Sequence, residues 1–231
     1  MLPNIDTNID ANIDTWVLDL DNTLYPAGSA MAEQLTHGIL STIAQHYGTD
    51  LAGARLIQDE LVTAYGTSLR GAMVRGTIDP HDFLGFERRI DYSVISADAT
   101  LAAALSTLPG RKYVYTNGSA YHAEQALTRL GLTDHIDGVF DILAGDLIPK
   151  PYAESLDAFL KLFGIEPTRA AMFDDLEVNL TLPHQRGMTT VLVTPADGTP
   201  YRQIAARRWQ VGDLPAFLHS LTAPEVRPST M

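Results

Sequence analysis

The stretch 19–25 carries the residues of this chain that are best placed to do chemistry. Two carboxylates, Asp19 and Asp21, stand two residues apart directly after the apolar, β-favouring residues 15–18. Positions i and i+2 of an extended chain point to the same side, so both side chains can converge on one ligand. Close like charges are costly unless a cation or a shared proton relieves them. The pair therefore indicates a metal site with a reactive carboxylate, and the alternative is a solvated turn after a strand.

The composition is that of an acidic globular protein without thiol chemistry. The chain has 231 residues, 45% of them hydrophobic and 19% charged, which allows a core domain with a smaller companion. A net charge of −12 opposes binding to a nucleic-acid polymer but permits a small anionic substrate at a local cation. The absence of cysteine excludes disulfides, thiol nucleophiles and zinc–thiolate sites. No secretory leader or bilayer-length apolar run is present, so we expect a cytoplasmic protein without a membrane partner.

Two different patterns follow a polar leader. Residues 1–14 repeat Asn-Ile-Asp at a four-residue step, and we expect this leader to be loosely ordered. Residues 25–95 show helical periodicity, as at Leu35, Ile39 and Ile43, and predict a small helical insertion. Beyond residue 96, helical segments alternate with predicted strands at 112–116, 139–143, 170–173 and 190–193, and a weaker edge strand near 209–211. This alternation predicts an α/β fold with a parallel sheet covered by helices on both faces.

Polar groups follow the predicted central strands at the point where each strand ends. The Thr-Asn-Gly segment 116–118 follows the second strand and can hold phosphate oxygens. Lys150 stands between two prolines that fix its backbone, and Asp174 and Asp175 end the fourth strand. Each could be an ordinary turn, surface or helix-capping residue. Because ligands of such sheets bind beyond the carboxyl ends of the strands, their joint arrival at one edge indicates a site.

This ordered set of residues resembles the four motifs of the haloacid dehalogenase-like hydrolase superfamily. The motifs are Asp-Leu-Asp-Asn-Thr from Asp19, then Thr116, Lys150 and the pair 174–175. The helical insertion resembles the small cap of that superfamily, which places a cap at 25–95 and a Rossmann-like core at 15–24 and 96–231. Softer patterns at 22–26, 65–71 and 90–93 resemble the pyrimidine 5′-nucleotidase branch.

The resemblance implies a Mg²⁺-dependent phosphomonoester hydrolase with an aspartyl-phosphate intermediate. Asp19 would attack phosphorus, and Asp21 would protonate the leaving alkoxide and then activate water. Mg²⁺ would bind Asp19, the Asp21 backbone carbonyl and Asp175, with Asp174 as a further or alternate ligand. The partner is then a small phosphomonoester, and the protein is expected to be a monomer or homodimer.

The remaining expected roles concern the substrate. Thr116 and the backbone amides of Asn117 and Gly118 would hold the phosphoryl oxygens, and Lys150 would offset their negative charge. Cap residues would contact the leaving group through aromatic stacking or polar groups; the candidates are Tyr25, Tyr65, Thr67 and Arg70. Ordinary packing within the cap is the alternative for these four. The seven histidines are scattered without metal-ligand spacing, and none is assigned a role.

The carboxylate at Asp21 favours phosphate chemistry over dehalogenation, since halide departure needs no proton. Asn179 is a departure from the family pattern, because many relatives carry a second acid four residues after the metal-binding aspartate. Asp174 can supply the missing charge. A phosphoglycolate or sugar-phosphate phosphatase or a phosphomutase is the main alternative, because substrate choice lies in the cap. A non-catalytic phospho-acceptor or scaffold is a further one.

Overall fold

The computed structural model describes residues 12–76, 78–195 and 200–222, and the predicted leader lies outside them except for its last three residues. Within these ranges the chain forms seven strands, which join in a single sheet. The strands are β1 Thr15–Leu18, β2 Arg111–Tyr115, β3 Gly138–Phe140, β4 Ala170–Asp174, β5 Thr189–Val193, β6 Tyr201–Ala205 and β7 Arg208–Val211. Their order in the sheet is β3-β2-β1-β4-β5-β7-β6.

The sheet is parallel apart from one edge. β1 lies between β2 and β4 and pairs with both in parallel, and only the β6–β7 pair of the described sheet is antiparallel. The predicted parallel α/β sheet is therefore confirmed. Because neighbouring parallel strands end at the same side, the carboxyl ends of β1, β2 and β4 meet at the middle of one sheet edge.

The helices divide into an insertion and a set that covers the sheet. The insertion between β1 and β2 contains α1 Ala30–Tyr47, α2 Leu51–Tyr65, α3 Ser68–Val74 and α4 Pro80–Leu84, followed by the short 3₁₀ helices Gly85–Arg89 and Tyr92–Val94. The covering helices are α5 Ala99–Thr107, α6 Ala120–Leu130, α7 Ala153–Phe163, α8 Glu177–Gln185 and α9 Leu214–Ser220. The described part of the insertion contains no strand, which confirms its helical character.

Alternating side chains of β1 pack on the two faces of the sheet. Trp16 and Leu18 join the cluster that includes side chains of α5, α6 and α9, whereas Val17 joins the cluster that includes α7 and α8. The insertion has its own cluster, in which Ile43, Leu61 and other apolar side chains of its helices are buried. β1 is thus buried on both sides, as expected of a central parallel strand.

Two strands differ from the sequence expectation. β3 is shorter than the predicted 139–143, because the Asp141 carboxylate accepts hydrogen bonds from the Ala120 and Ala144 amides and the chain turns there. The predicted strand near 209–211 is confirmed as β7, but β6 rather than β7 forms the sheet edge. None of the helices in the described part of the chain is long and apolar enough to cross a lipid bilayer.

Candidate active site

Asp19 lies directly beyond the carboxyl end of β1. Its amide donates to the Phe173 carbonyl of β4 at 2.9 Å, so the sheet ladder holds its backbone. The side chain is 6% exposed, and its Oδ2 accepts from the Thr23 hydroxyl at 2.9 Å. Asn22 turns the chain in between with a left-handed backbone (φ 64°), which asparagine tolerates well. Strand, turn and hydroxyl together fix this carboxylate.

Lys150 joins two of the motifs through its ammonium group. Nζ donates to Asp19 Oδ1 at 2.6 Å and to Asp174 Oδ2 at 2.7 Å, and the side chain is 3% exposed. The Asn117 side chain holds the Lys150 backbone by accepting from its amide at 2.8 Å and donating to its carbonyl at 3.3 Å. The ends of β1, β2 and β4 and the lysine loop therefore meet, as the sequence predicts.

Asp174 and Asp175 complete an acidic cluster. Carboxylate oxygens of Asp19, Asp174 and Asp175 all lie within 4.8 Å of one another, in an arrangement that could hold a metal ion. Both oxygens of Asp174 already have donors, since Oδ1 accepts from the Leu176 amide and from Asn179 Nδ2, each at 2.9 Å, and Oδ2 accepts from the lysine. Asn179 thus supports Asp174, which makes Asp175 the better placed of the pair for a ligand.

Negative charge exceeds positive charge in this cluster. Burial raises the pKa of Asp19 to about 8 against the opposing charge of Lys150, and the carboxylates of Asp174 and Asp21 add to the rise. Burial and the charge of Asp174 also raise the pKa of Asp175. Three carboxylates around one ammonium group, with oxygen as the donor atom, match a hard divalent cation such as Mg²⁺. The residues present therefore fit the implied metal.

Asp21 contacts a histidine that the sequence analysis missed. Its Oδ1 lies 2.7 Å from Nε2 of His122, a fully buried residue in the first turn of α6, and also accepts from the Tyr25 hydroxyl. Burial alone would raise the pKa of Asp21, but the charge and hydrogen bond of His122 outweigh it and lower that pKa. Burial likewise opposes charge on His122, yet Asp21 raises the histidine pKa. The two form an ion pair in which the histidine is buried and the aspartate side chain is 28% exposed.

Thr116 and Gly118 lie where the second motif was expected. Thr116 follows β2 directly, is 1% exposed, and accepts a hydrogen bond from the Gly118 amide at 3.0 Å through its Oγ1. The threonine hydroxyl proton stays available for a phosphoryl oxygen. The Gly118 amide would exchange its bond to Thr116 for a bond to such an oxygen.

A cavity of about 410 Å³ lies between the insertion and this sheet edge. Its lining includes Asp21, Asn117, Gly118 and His122 from the sheet side and Thr67 from the insertion. Of the four predicted cap contacts, Thr67 is the one found among the described residues that line this cavity.

The other three predicted cap contacts lie elsewhere. The Arg70 guanidinium lies 4.7 Å from the ring centroid of Tyr152, and the Tyr65 carbonyl accepts from the Tyr152 hydroxyl at 3.1 Å. The hydroxyl of Tyr25 points to Asp21, and this tyrosine does not line the cavity among the described residues. The structure places none of these three side chains on the cavity wall.

Comparison with known proteins gives both a family and a fold. Residues 13–181 match the family model for the haloacid dehalogenase-like hydrolases. Magnesium-bound YfnB from Bacillus subtilis is 16% identical, with 91% of this chain and 99% of that chain covered and a TM-score of 0.54. SP0104 from Streptococcus pneumoniae is 14% identical over 80% and 86% of the two chains, with a TM-score of 0.53. UTR4 from Saccharomyces cerevisiae is 16% identical over 87% and 99%, with a TM-score of 0.51.

At these identities the structural matches support the fold alone. The family model, in contrast, spans most of the chain and includes β1, β2, β4 and the acidic cluster beyond them. The chain belongs to the haloacid dehalogenase-like hydrolase family.

Proposed function

We propose that this protein is a Mg²⁺-dependent phosphomonoester hydrolase that forms an aspartyl-phosphate at Asp19. The observation that carries the proposal is the buried Lys150 ammonium group, 2.6 Å from Asp19 and 2.7 Å from Asp174, at the carboxyl edge of the sheet. A cation held beside a buried carboxylate can neutralise an incoming phosphoryl group. Family membership supports hydrolysis, and the carboxylate of Asp21 supports a leaving group that needs a proton.

In the first step, an Asp19 carboxylate oxygen attacks phosphorus and the bond from phosphorus to the leaving oxygen breaks. Asp21, in its acid form, gives its proton to the leaving alkoxide, which departs as an alcohol. The negative phosphoryl group that arrives beside Asp21 favours that acid form. Lys150 and the Thr116 hydroxyl stabilise the charge on the phosphoryl oxygens.

In the second step, water attacks phosphorus of the aspartyl-phosphate. The Asp21 carboxylate takes a proton from this water, and the bond between phosphorus and the Asp19 oxygen breaks. Inorganic phosphate leaves, Asp19 is again a carboxylate, and Asp21 is again an acid. The cycle therefore consumes one water and one ester and needs no further reactant.

The proposed metal ligands are Asp19, the backbone carbonyl of Asp21 and Asp175, while Asp174 supports them from outside because both its oxygens already have donors. Bound Mg²⁺ supplies positive charge that offsets the negative charge developing on the phosphoryl group. The magnesium-bound state of the structural relative YfnB supports this choice of ion.

We further propose pyrimidine nucleoside 5′-monophosphates as the substrates. Among the described residues, no lysine or arginine lines the cavity, whereas Asp21 and Glu87 contribute carboxyl groups. Among the described lining residues, the cation that a negatively charged leaving group such as that of phosphoglycolate would meet is His122, whose charge Asp21 already offsets. A neutral nucleoside fits this wall, where Leu35, Ile39 and Val62 offer apolar surface and Thr67 a hydroxyl. Monoesters of other neutral alcohols, including sugars, are the second candidate on the same observation.

Phosphate release from a panel of esters tests both levels of the proposal. The panel contains UMP, CMP, dTMP, AMP, GMP, phosphoglycolate and sugar phosphates, each with Mg²⁺ and with a chelator, and Asp19→Asn is the control. We expect chelator-sensitive release that is fastest from UMP, CMP or dTMP and absent in Asp19→Asn. Fastest release from phosphoglycolate would refute the substrate class. No release from any ester would refute the phosphatase and favour a non-catalytic scaffold.

A further inference from the structure

The Asp21 side chain is held by two donors that meet on one of its oxygens. Nε2 of His122 lies 2.7 Å from Oδ1, and the Tyr25 hydroxyl donates to the same atom. Two contacts on Oδ1 fix the plane of the carboxyl group. Oδ2 is then the oxygen available to carry the proton that the proposed mechanism needs.

The His122 ring is itself fixed from the helical insertion. Its Nδ1 lies 2.9 Å from the Tyr92 hydroxyl, which also lies 3.2 Å from the Glu87 carbonyl. The Glu87 carboxylate accepts from the amide and hydroxyl of Ser119, the residue that caps the first turn of α6. The residues that hold His122 in place therefore come partly from the sheet core and partly from the insertion.

This arrangement is more specific than packing alone requires. A fully buried imidazole is costly unless both ring nitrogens have partners, and here Asp21 and Tyr92 supply them. An apolar side chain of similar volume would fill the space without that requirement. The hydrogen bonds, rather than the bulk of the ring, are what the site gains from a histidine.

We propose that His122 is a positioning residue that fixes Asp21 for proton transfer to the leaving group, and that Tyr92 of the insertion fixes His122. This inference rests on the proposed phosphatase function. It assigns a role to His122 and Tyr92, which in the proposed mechanism contact neither the phosphoryl group nor the acidic cluster that binds the metal. It also makes the orientation of Asp21 depend on the contact between insertion and core.

The test compares two leaving groups. p-Nitrophenyl phosphate releases a stabilised phenolate that needs little help from an acid, whereas an alkyl ester releases an alkoxide that needs a proton. The alkyl ester is the one in the panel above that the wild-type enzyme cleaves fastest. The quantity compared is kcat/KM, because it reports only the steps up to the aspartyl-phosphate and leaves out the later activation of water.

His122→Leu should lower kcat/KM for the alkyl ester by about 100-fold, as expected when general acid catalysis is impaired, and for p-nitrophenyl phosphate by less than about tenfold. His122→Gln can place an amide nitrogen near the position of Nε2 and should recover at least about tenfold for the alkyl ester. Tyr92→Phe should lower the alkyl-ester value by about three- to tenfold, in line with one lost hydrogen bond.

Tyr121→Phe is the matched control, because its ring packs edge-on against Tyr92 with centroids 6.2 Å apart. It should leave the ratio of the two kcat/KM values as in the wild type. Equal losses for both esters, or a glutamine variant no better than the leucine variant, would overturn the proposal. If His122→Leu fails to fold by circular dichroism, Tyr92→Phe decides on the same criterion. A wild-type enzyme without phosphatase activity would instead refute the proposed function, which is measured first.

Discussion

Replacing Lys150 by methionine removes the ammonium group that Asp19 and Asp174 share. Both carboxylates stay buried, with exposed fractions of 6% and 0%, and lose a partner at 2.6 Å and 2.7 Å. Above about pH 8, where the Asp19 carboxyl group is ionised, removal of one partner from a buried ion pair costs about 3–5 kcal/mol of unfolding free energy. For a chain of this length about 1 kcal/mol corresponds to 2–4 °C, so Tm of the metal-free protein should fall by about 6–20 °C.

Magnesium should restore part of this loss. The ion is proposed to bind the same carboxylates, and the variant presents them without a competing ammonium group. Mg²⁺ should therefore stabilise Lys150→Met by more than it stabilises the wild type. Phosphate release should still be about 10²–10³-fold slower, as for the loss of one charge-stabilising donor.

Lys112→Met is the matched control. Lys112 is 8% exposed and lies at the other end of β2, where its Nζ donates to the carbonyls of Leu108 at 2.9 Å and Gly110 at 3.1 Å. Its loss leaves neutral acceptors and should cost about 1–3 kcal/mol. Urea unfolding of both variants, with Mg²⁺ and with chelator, measures these differences. Equal losses of unfolding free energy in the two variants, with equal responses to Mg²⁺, would refute the excess of negative charge in the acidic cluster.

Three other outcomes follow from the site. Asp175→Asn should raise the Mg²⁺ concentration for half-maximal phosphate release at least about tenfold. Asp174→Asn should mainly lower the free energy of unfolding measured in urea. The reverse pattern would exchange the roles of the two residues. Thr67→Ala should lower the free energy of unfolding by about 1 kcal/mol, because Thr67 Oγ1 caps α3, and it should also raise KM. Thr67→Ser should change neither quantity. An alanine variant with unchanged KM would exclude a substrate contact. The pKa of Asp19 is raised to about 8, so below that pH Mg²⁺ must displace a proton from this carboxyl group. The affinity for Mg²⁺, measured by calorimetry, should therefore rise about tenfold per pH unit up to pH 8 and then level off. A pH-independent affinity would contradict this.

Local signals were sufficient for most of the fold. Gly48 ends α1 in a left-handed conformation and Asp98 caps α5 through its side chain, and both residue types favour these positions. β6 could not be predicted in this way, because residues 201–205 are mostly exposed and show no apolar alternation. Its existence depends on pairing with β7, which is a tertiary interaction.

The site shows the same division. The acidic motifs could be predicted because each follows a strand of a parallel sheet and such strand ends meet. Lys150 lies in the connection after β3, and the prolines on either side of it indicated a fixed backbone. His122 could not be predicted, since its contact with Asp21 joins residues 101 positions apart and a single histidine in a helix has no diagnostic spacing. Arg70 was expected at the substrate because its charge suits phosphate, but in the structure its guanidinium group lies over the ring of Tyr152. Side-chain partners of this kind are set by packing.

Detection of the covalent intermediate tests the central claim most directly. Asp21→Asn lacks the base that activates water, so it should accumulate aspartyl-phosphate when p-nitrophenyl phosphate and Mg²⁺ are supplied. We expect a burst of one p-nitrophenolate per enzyme, and peptide mass spectrometry after acid quenching should place the phosphoryl group on Asp19. Wild-type turnover without such an intermediate in the variant, or a phosphoryl group on another residue, would contradict Asp19 as the nucleophile.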